Sequence, residues 1–483
     1  MTASQPDLAD AGPTQATGLP FSAVLGLLAG LSIVASATTP LRDIDLYWHI
    51  LAGRELLAGT AADQLGEAWS FAPGAHAWLT TQWLSEILMA TLQDGVGWAG
   101  QAAFRLVTAA AALGMLAWST LRGRPKALAG FPFLLAGALI VFVSQDRPSQ
   151  FTLIGAAWLG GVLITGLTRQ ALPRWWVLLG VTVLWANLHG GWVLVPAILV
   201  LIALCLIVSE DRTEPGIVPR SLGLAVASVA AGCLTPAGVF GLSATWRFSE
   251  SAVQIREWAA VQPASRVGWL TIAMLGLLLV GWSSSRLPRA EALAVLALLT
   301  FSWLAVRNLA PGLALLAPLT AHRLCQAFPG VGRREPRWSV PVGLAAAGLL
   351  TLAAVVSVIA RGPANLPTTT QPVALAQRIA ELPAGQRILN DYNTSGVVLY
   401  FGGSGTRVAI DGRADRYGSD YIAQYLDLLD LQGEWEPLLN ELGPTAALLS
   451  QDSPMARYLQ TERGWQQLGD ADAGYVLLVP GPA

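Results

Sequence analysis

The chain has 483 residues, 53% of them hydrophobic and 12% charged, with a formal net charge of −2. A soluble globular chain carries about 25% charged residues; half that value, with repeated apolar runs of roughly 20 residues, excludes an ordinary soluble domain and indicates a polytopic membrane protein. The near-neutral balance leaves no electrostatic footprint for nucleic acid.

Basic residues are almost all arginine, Lys126 being the only lysine. Cys205, Cys233 and Cys325 lie in apolar runs without CxxC or CxxH spacing, so neither a disulfide nor a cysteine metal site is expected. Residues 1–18 are polar and carry no basic residue. A secretory signal needs a positive n-region, so this segment reads as a disordered cytoplasmic tail before a retained helix.

The first span covers about Pro20–Thr38, and residues 39–97 follow as a long first outer loop. Within that loop Asp45–Ala58 reads as an amphipathic helix, with Asp45 and His49 on one face and Gly59 as its stop. Trp78–Gln93 reads as a second amphipathic helix, too short for a full crossing and therefore interfacial. Ten further spans are expected at about 98–120, 127–144, 151–168, 174–188, 191–209, 221–240, 267–285, 290–306, 309–327 and 339–360, giving about eleven transmembrane helices.

The distribution of basic residues orients these spans. Arg122/Arg124/Lys126, Arg169/Arg174, Arg212/Arg220, Arg286/Arg289 and Arg323/Arg333/Arg334/Arg337 form one set of connections, which places them and the N-terminus in the cytoplasm. The other set holds the first loop, Gln145–Gln150, Asn187–Gly191, Thr235–Pro263 and Arg307–Pro311. After Ala360 the composition turns polar. Residues 362–483 read as a small extracytoplasmic α/β domain behind a Pro-rich linker, with strands near Arg387–Leu389, Arg407–Ile410, Ala446–Leu449 and Tyr475–Val479. The domain plan is thus a tail at 1–18, a transmembrane domain at 19–361 and the α/β domain at 362–483.

The chemistry concentrates in the outer set. Asp43 and Asp45 sit just beyond the first span, where charge is costly unless it has partners or work. A carboxylate there suits a base that takes a hydroxyl proton. A DxD-like pair also suits a divalent cation, Mg or Mn, held through hard oxygen ligands, so the expected cofactor is either none or such a cation. Read otherwise, Asp43 caps a juxtamembrane helix. Arg147 and Arg307 offer fixed donors for a phosphate, and His49, His189 and Glu257 supply further polar contacts on the same side. No GxxxxGK[ST], strand-linked GxGxxG or HExxH is present, so nucleotide and zinc-protease chemistry lack support.

The pieces Asp43-Ile-Asp45-Leu-Tyr-Trp48-His49-Ile-Leu-Ala-Gly53-Arg54 and Gln82-Trp83-Leu84-Ser85-Glu86 resemble a group of bacterial membrane proteins related to the GT-C glycosyltransferases. Arg147-Pro148-Ser149-Gln150, Asn187-Leu188-His189-Gly190-Gly191, Thr235-Pro236-Ala237-Gly238, Glu257-Trp258, Arg307-Asn308, Asn390-Asp391-Tyr392 and Ile410-Asp411-Gly412-Arg413-Ala414-Asp415 resemble the same group. The resemblance implies a GT-C-like fold in the bacterial inner membrane and a polyprenyl-phosphate-linked sugar as donor. It also implies transfer to an extracytoplasmic glycan, lipid or protein acceptor. An acid of the first outer loop, here Asp43 or Asp45, would stand at the active site. Two other classes remain open from the sequence: a lipid or glycan transporter, and a non-enzymatic scaffold with an outer binding domain.

Overall fold

The computed structural model describes residues 20–41, 43–242, 258–283, 288–331, 335–336, 338–361 and 370–482. The tail at 1–18, Arg42, Arg256, Glu257, Arg286, Arg333, Arg334, Arg337 and the linker at 362–369 lie outside them.

Each apolar run anticipated as a span is a helix: α1 (Phe21–Ser36), α4 (Trp98–Leu121), α5 (Lys126–Val143), α6 (Gln150–Arg169), α7 (Trp175–Leu188), α8 (Leu194–Ile207), α9 (Ile217–Gly232), α10 (Arg266–Trp282), α11 (Arg289–Leu304), α12 (Leu309–Ala327) and α13 (Ser339–Arg361). Five of the described segments are long and apolar enough by length and composition to cross a membrane: Trp98–Leu121, Lys126–Val143, Gln150–Arg169, Gly190–Ile207 and Ser339–Arg361. The chain is an integral membrane protein. Its helical core runs from Leu25 and Ile33 of α1 through α4, α6 and α12, while Leu344, Leu349 and Leu352 of α13 and Phe142 of α5 stay exposed. Exposed leucines on an outward helix face are stable only against lipid.

Between α1 and α4 lie α2 (Leu46–Leu57) and α3 (Trp83–Val96). The sequence suggested an amphipathic α2 with a wet face; instead Leu46, Tyr47, Trp48, His49 and Ile50 are all buried. The cause is a cover supplied by C-terminal residues and by the rest of the first loop. Tyr47 packs with Val373, Ala376 and Val397, and Trp48 with Trp69 and Trp78. The second loop helix begins at Trp83, not Trp78. Thr80 and Thr81 are β-branched, and the Thr80 hydroxyl accepts from the Gln82 amide at 3.2 Å, so side-chain bonding holds this stretch out of the helix. Gly53 lets α2 and α3 touch, since a Cβ there would strike the Glu86 carbonyl.

Residues 373–479 form a mixed five-stranded sheet in the order β2 (Arg407–Val408), β1 (Arg387–Asn390), β3 (Ala446–Ser450), β5 (Tyr475–Val479), β4 (Gln466–Gln467). β1 pairs in parallel with β2 and β3, while β5 runs antiparallel to β3 and β4. Helices Val373–Ile379, Ser395–Phe401, Ala414–Leu429, Glu436–Leu442 and Pro454–Thr461 accompany it. Ala414–Leu429 is two helices that meet at a kink at Gly418, whose φ is +77°.

This unit grips the first loop through backbone as well as side chains. The Phe71 amide donates to the Val408 carbonyl at 3.2 Å, and the His76 amide to the Arg416 carbonyl at 2.8 Å. Arg413 is fully enclosed. It donates to both oxygens of Asp411, at 2.9 and 2.6 Å, and to the Leu65 and Gly66 carbonyls at 3.2 and 3.0 Å. Its guanidinium also lies over the rings of Trp69 and Trp78. Burial alone would raise the Asp411 pKa, and the charge of Arg413 overrides it, holding the carboxyl below its usual range.

Candidate active site

The end of α1, the start of α2 and the loop before α6 meet at three charged side chains. Arg147 Nε lies 3.2 Å from Asp43 Oδ2, and Arg147 Nη1 lies 3.6 Å from Asp45 Oδ2. Asp43 Oδ1 accepts from the Asp45 backbone amide at 2.9 Å, and Asp45 Oδ1 accepts from Trp48 Nε1 at 2.9 Å. Asp45 is the N-cap position of α2, and Asp43 lies two residues before it. The two acids differ in access. The Asp45 side chain keeps 23% of its surface exposed and that of Asp43 only 2%, so Asp45 is the carboxylate that a substrate can reach.

One guanidinium facing two carboxylates leaves a surplus of negative charge. Burial and the neighbouring charge of Asp43 raise the Asp45 pKa to about 6, against the opposing pull of Arg147, His49 and the Trp48 N–H. A carboxyl tuned toward neutrality can exist as a base and accept a proton under ordinary conditions. Asp43 Oδ1 and Asp45 Oδ1 accept N–H donors at 2.9 Å, while Arg147 lies against the other oxygen of each acid, 3.2 Å from Asp43 Oδ2 and 3.6 Å from Asp45 Oδ2. Among the described residues no group of three or more His, Cys, Asp or Glu is arranged to hold a metal ion.

His49, one turn beyond Asp45, is buried with Nδ1 3.3 Å from Glu86 Oε1, and Thr80 donates to Glu86 Oε2 at 2.8 Å. His189 sits where α7 ends. Its Nδ1 is 2.7 Å from the Thr152 hydroxyl and accepts from the Gly191 amide at 3.1 Å. Burial, with the positive charges of Arg307 and Arg147 and the nearby His49, presses the His189 pKa down to about 3. His189 therefore lies within electrostatic reach of Arg307, Arg147 and His49. Arg307 lies 4.4 Å from the centre of the Trp258 ring. Asp43, Asp45 and Arg147 thus meet directly, while His49 acts electrostatically on Asp45, and His189 feels Arg307, Arg147 and His49. Glu257 lies outside the described residues.

Three supports escaped the sequence reading. Arg105 lies inside α4, fully buried. It donates to the Ser36, Thr39 and Pro40 carbonyls at 3.3, 2.7 and 3.2 Å and to Asp146 Oδ2 at 3.1 Å. It ties the end of α1, which carries Asp43, to the loop that carries Arg147. Its signal was present, since an arginine within a span needs a partner. Glu86 marks a second support: α3 holds His49 through it and the Asn187–Gly191 loop through Trp83 Nε1 to Asn187 Oδ1 and Ser85 Oγ to the Leu188 carbonyl. Gly412 is the third. A Cβ there would strike Asp45 Oδ1 and Trp48 Nε1, so the C-terminal unit rests against the acid itself.

No family model and no curated protein matches the chain. Solved structures do. ArnT from Cupriavidus metallidurans in the apo state is 13% identical, covers 95% of this chain and 98% of its own, and superposes with a TM-score of 0.51. The same protein bound to undecaprenyl phosphate is 13% identical over 95% of this chain and 99% of its own, with a TM-score of 0.52. The Archaeoglobus fulgidus oligosaccharyltransferase, tethered with an acceptor peptide, is 12% identical, covers 89% of this chain and 69% of its own, and has a TM-score of 0.48. The chain shares the fold of ArnT.

Proposed function

We propose that the protein is a membrane glycosyltransferase that moves a sugar from a polyprenyl-phosphate-linked donor to an extracytoplasmic acceptor. The observation that carries the reading is Asp45: a reachable carboxylate with its pKa raised to about 6, set beside Asp43 and Arg147 in a chain with the fold of ArnT. In this reading Asp45 takes the proton of the acceptor hydroxyl. The acceptor oxygen bonds to the anomeric carbon while the bond from that carbon to the phosphate oxygen breaks. The negative phosphate that departs is met by Arg147, Arg307 and His189, whose donors suit phosphate oxygens. Asp43 keeps Asp45 basic and holds its backbone amide. No step requires a metal ion.

The N-terminus is cytoplasmic in this account, and the site and the C-terminal unit face outward. The test is release of polyprenyl phosphate from a labelled lipid-linked sugar in native membranes. Asp45→Ala and Asp43→Ala are expected to abolish it, and full activity in both would refute the reading. Movement of the intact donor between leaflets without release would make the protein a transporter instead.

A further inference from the structure

Two histidines belong to the cluster, His49 buried and His189 partly buried, and groups of opposite hydrogen-bonding character engage their Nδ1 atoms. His49 Nδ1 faces a carboxylate oxygen of Glu86 at 3.3 Å. A carboxylate only accepts, so this nitrogen carries hydrogen. The Gln82 amide also approaches it, but at 3.5 Å, the outer edge of a hydrogen bond. Glu86 has no exposed surface, and its second oxygen is taken by Thr80, so its charge is directed at His49. His189 Nδ1 is the reverse case. It receives the Gly191 backbone N–H at 3.1 Å, and an amide only donates. The Thr152 hydroxyl, 2.7 Å away, donates to the same nitrogen. A neutral His189 therefore keeps its hydrogen on Nε2. The charged groups around His49 are Glu86 and Asp45; those around His189 are Arg307, Arg147 and His49.

We propose that Glu86 and the Gly191 amide lock His49 and His189 in opposite tautomers, so that one site offers a proton acceptor at His49 Nε2 and a neutral donor at His189 Nε2–H for a phosphate oxygen. The use of the pair rests on the glycosyl-transfer reading; the tautomers do not. His189 donates to the phosphate without adding a titrating charge.

Nuclear magnetic resonance of the full chain with 15N-histidine, in lipid nanodiscs at mildly alkaline pH, tests the assignment. The chain has four histidines. His76→Gln with His322→Gln leaves the two of interest, and His49→Gln and His189→Gln assign them. The expected spectrum has His49 protonated at Nδ1 and His189 at Nε2. The same tautomer in both, or the reverse pair, overturns the proposal. Glu86→Gln should redistribute the His49 tautomer and leave His189 unchanged; an unmoved His49 removes Glu86 from the account. If Glu86→Gln does not fold, the spectrum without it still decides the tautomers.

Binding of undecaprenyl phosphate tests the donor separately. His189→Gln, whose amide can replace Nε2–H, should bind within about threefold of the unsubstituted protein, and His189→Leu roughly tenfold more weakly or worse. Equal losses overturn the donor role. Absence of lipid binding in every protein, with the tautomers as expected, refutes the functional reading and leaves the tautomer assignment standing.

Discussion

Two charge clusters, one at the start of α2 and one in the first turn of α11, are built differently. In α11, Glu291 faces Arg323 of α12, whose guanidinium takes both carboxylate oxygens and also donates to Gln326 at 2.8 Å. One acid meets one base. At the start of α2, one arginine serves two acids, and Asp45 is left with its pKa raised. Matched charge of the first kind supports the fold; surplus charge of the second kind costs stability and is retained where chemistry needs it. Arg105 with Asp146 and Arg413 with Asp411 are matched pairs too, and both brace the unmatched one.

That contrast can be broken at either end. Asp45→Asn should lower donor turnover by roughly 10²–10⁴-fold, the range of a lost general base, while Glu291→Gln leaves turnover per folded molecule unchanged. Thermal unfolding should order them oppositely. Breaking the matched pair costs about 3–5 kcal/mol. Asp45→Asn should stabilise instead, by the following sign: a carboxyl whose folded pKa is raised to about 6 destabilises the fold at neutral pH, and the penalty is relieved as pH falls through that value. Equal melting shifts in the two variants would dissolve the comparison.

Arg105→Gln is the next largest effect. It leaves Asp146 buried against a lost cation, so about 3–5 kcal/mol of stability should go. Turnover should fall with it, because the carbonyls before Asp43 lose their donors. Melting and donor release measured on the same preparation check both. Gly412→Ala sharpens the comparison more gently. The methyl meets Asp45 and Trp48, and a displacement near 1 Å costs roughly 10²-fold in rate. Melting should move little, since the residue lies at the seam between two units. A large melting loss with normal rates would mean that the contact is structural only.

Much of this was legible in the sequence because the physics there is local. Apolar runs fix the helices, and Asp43, Asp45, Arg147, His189 and Arg307 stand out as charge or polarity beside grease. The sheet strands near Arg387, Ala446 and Tyr475 were visible from short apolar runs bounded by turn residues. What stayed hidden depends on contact between distant segments. The exposure that separates Asp45 from Asp43 arises from how Gly412, Trp48 and Arg147 crowd around them. α2 looked amphipathic because part of its cover lies more than 300 residues away, at Val373 and Val397. Arg105 was lost within an apolar run, although its cost there was the clue.

The most direct measurement is the pH profile of donor turnover in the unsubstituted protein and in Asp43→Asn. Asp45 must be ionised to act, so turnover should fall as pH drops through about 6. Asp43 is, after burial, one of the causes of that raised value, so its neutralisation should move the acidic limb to lower pH. A limb that stays in place in Asp43→Asn, or that persists when Asp45 itself is replaced, would contradict the assignment of Asp45 as the base.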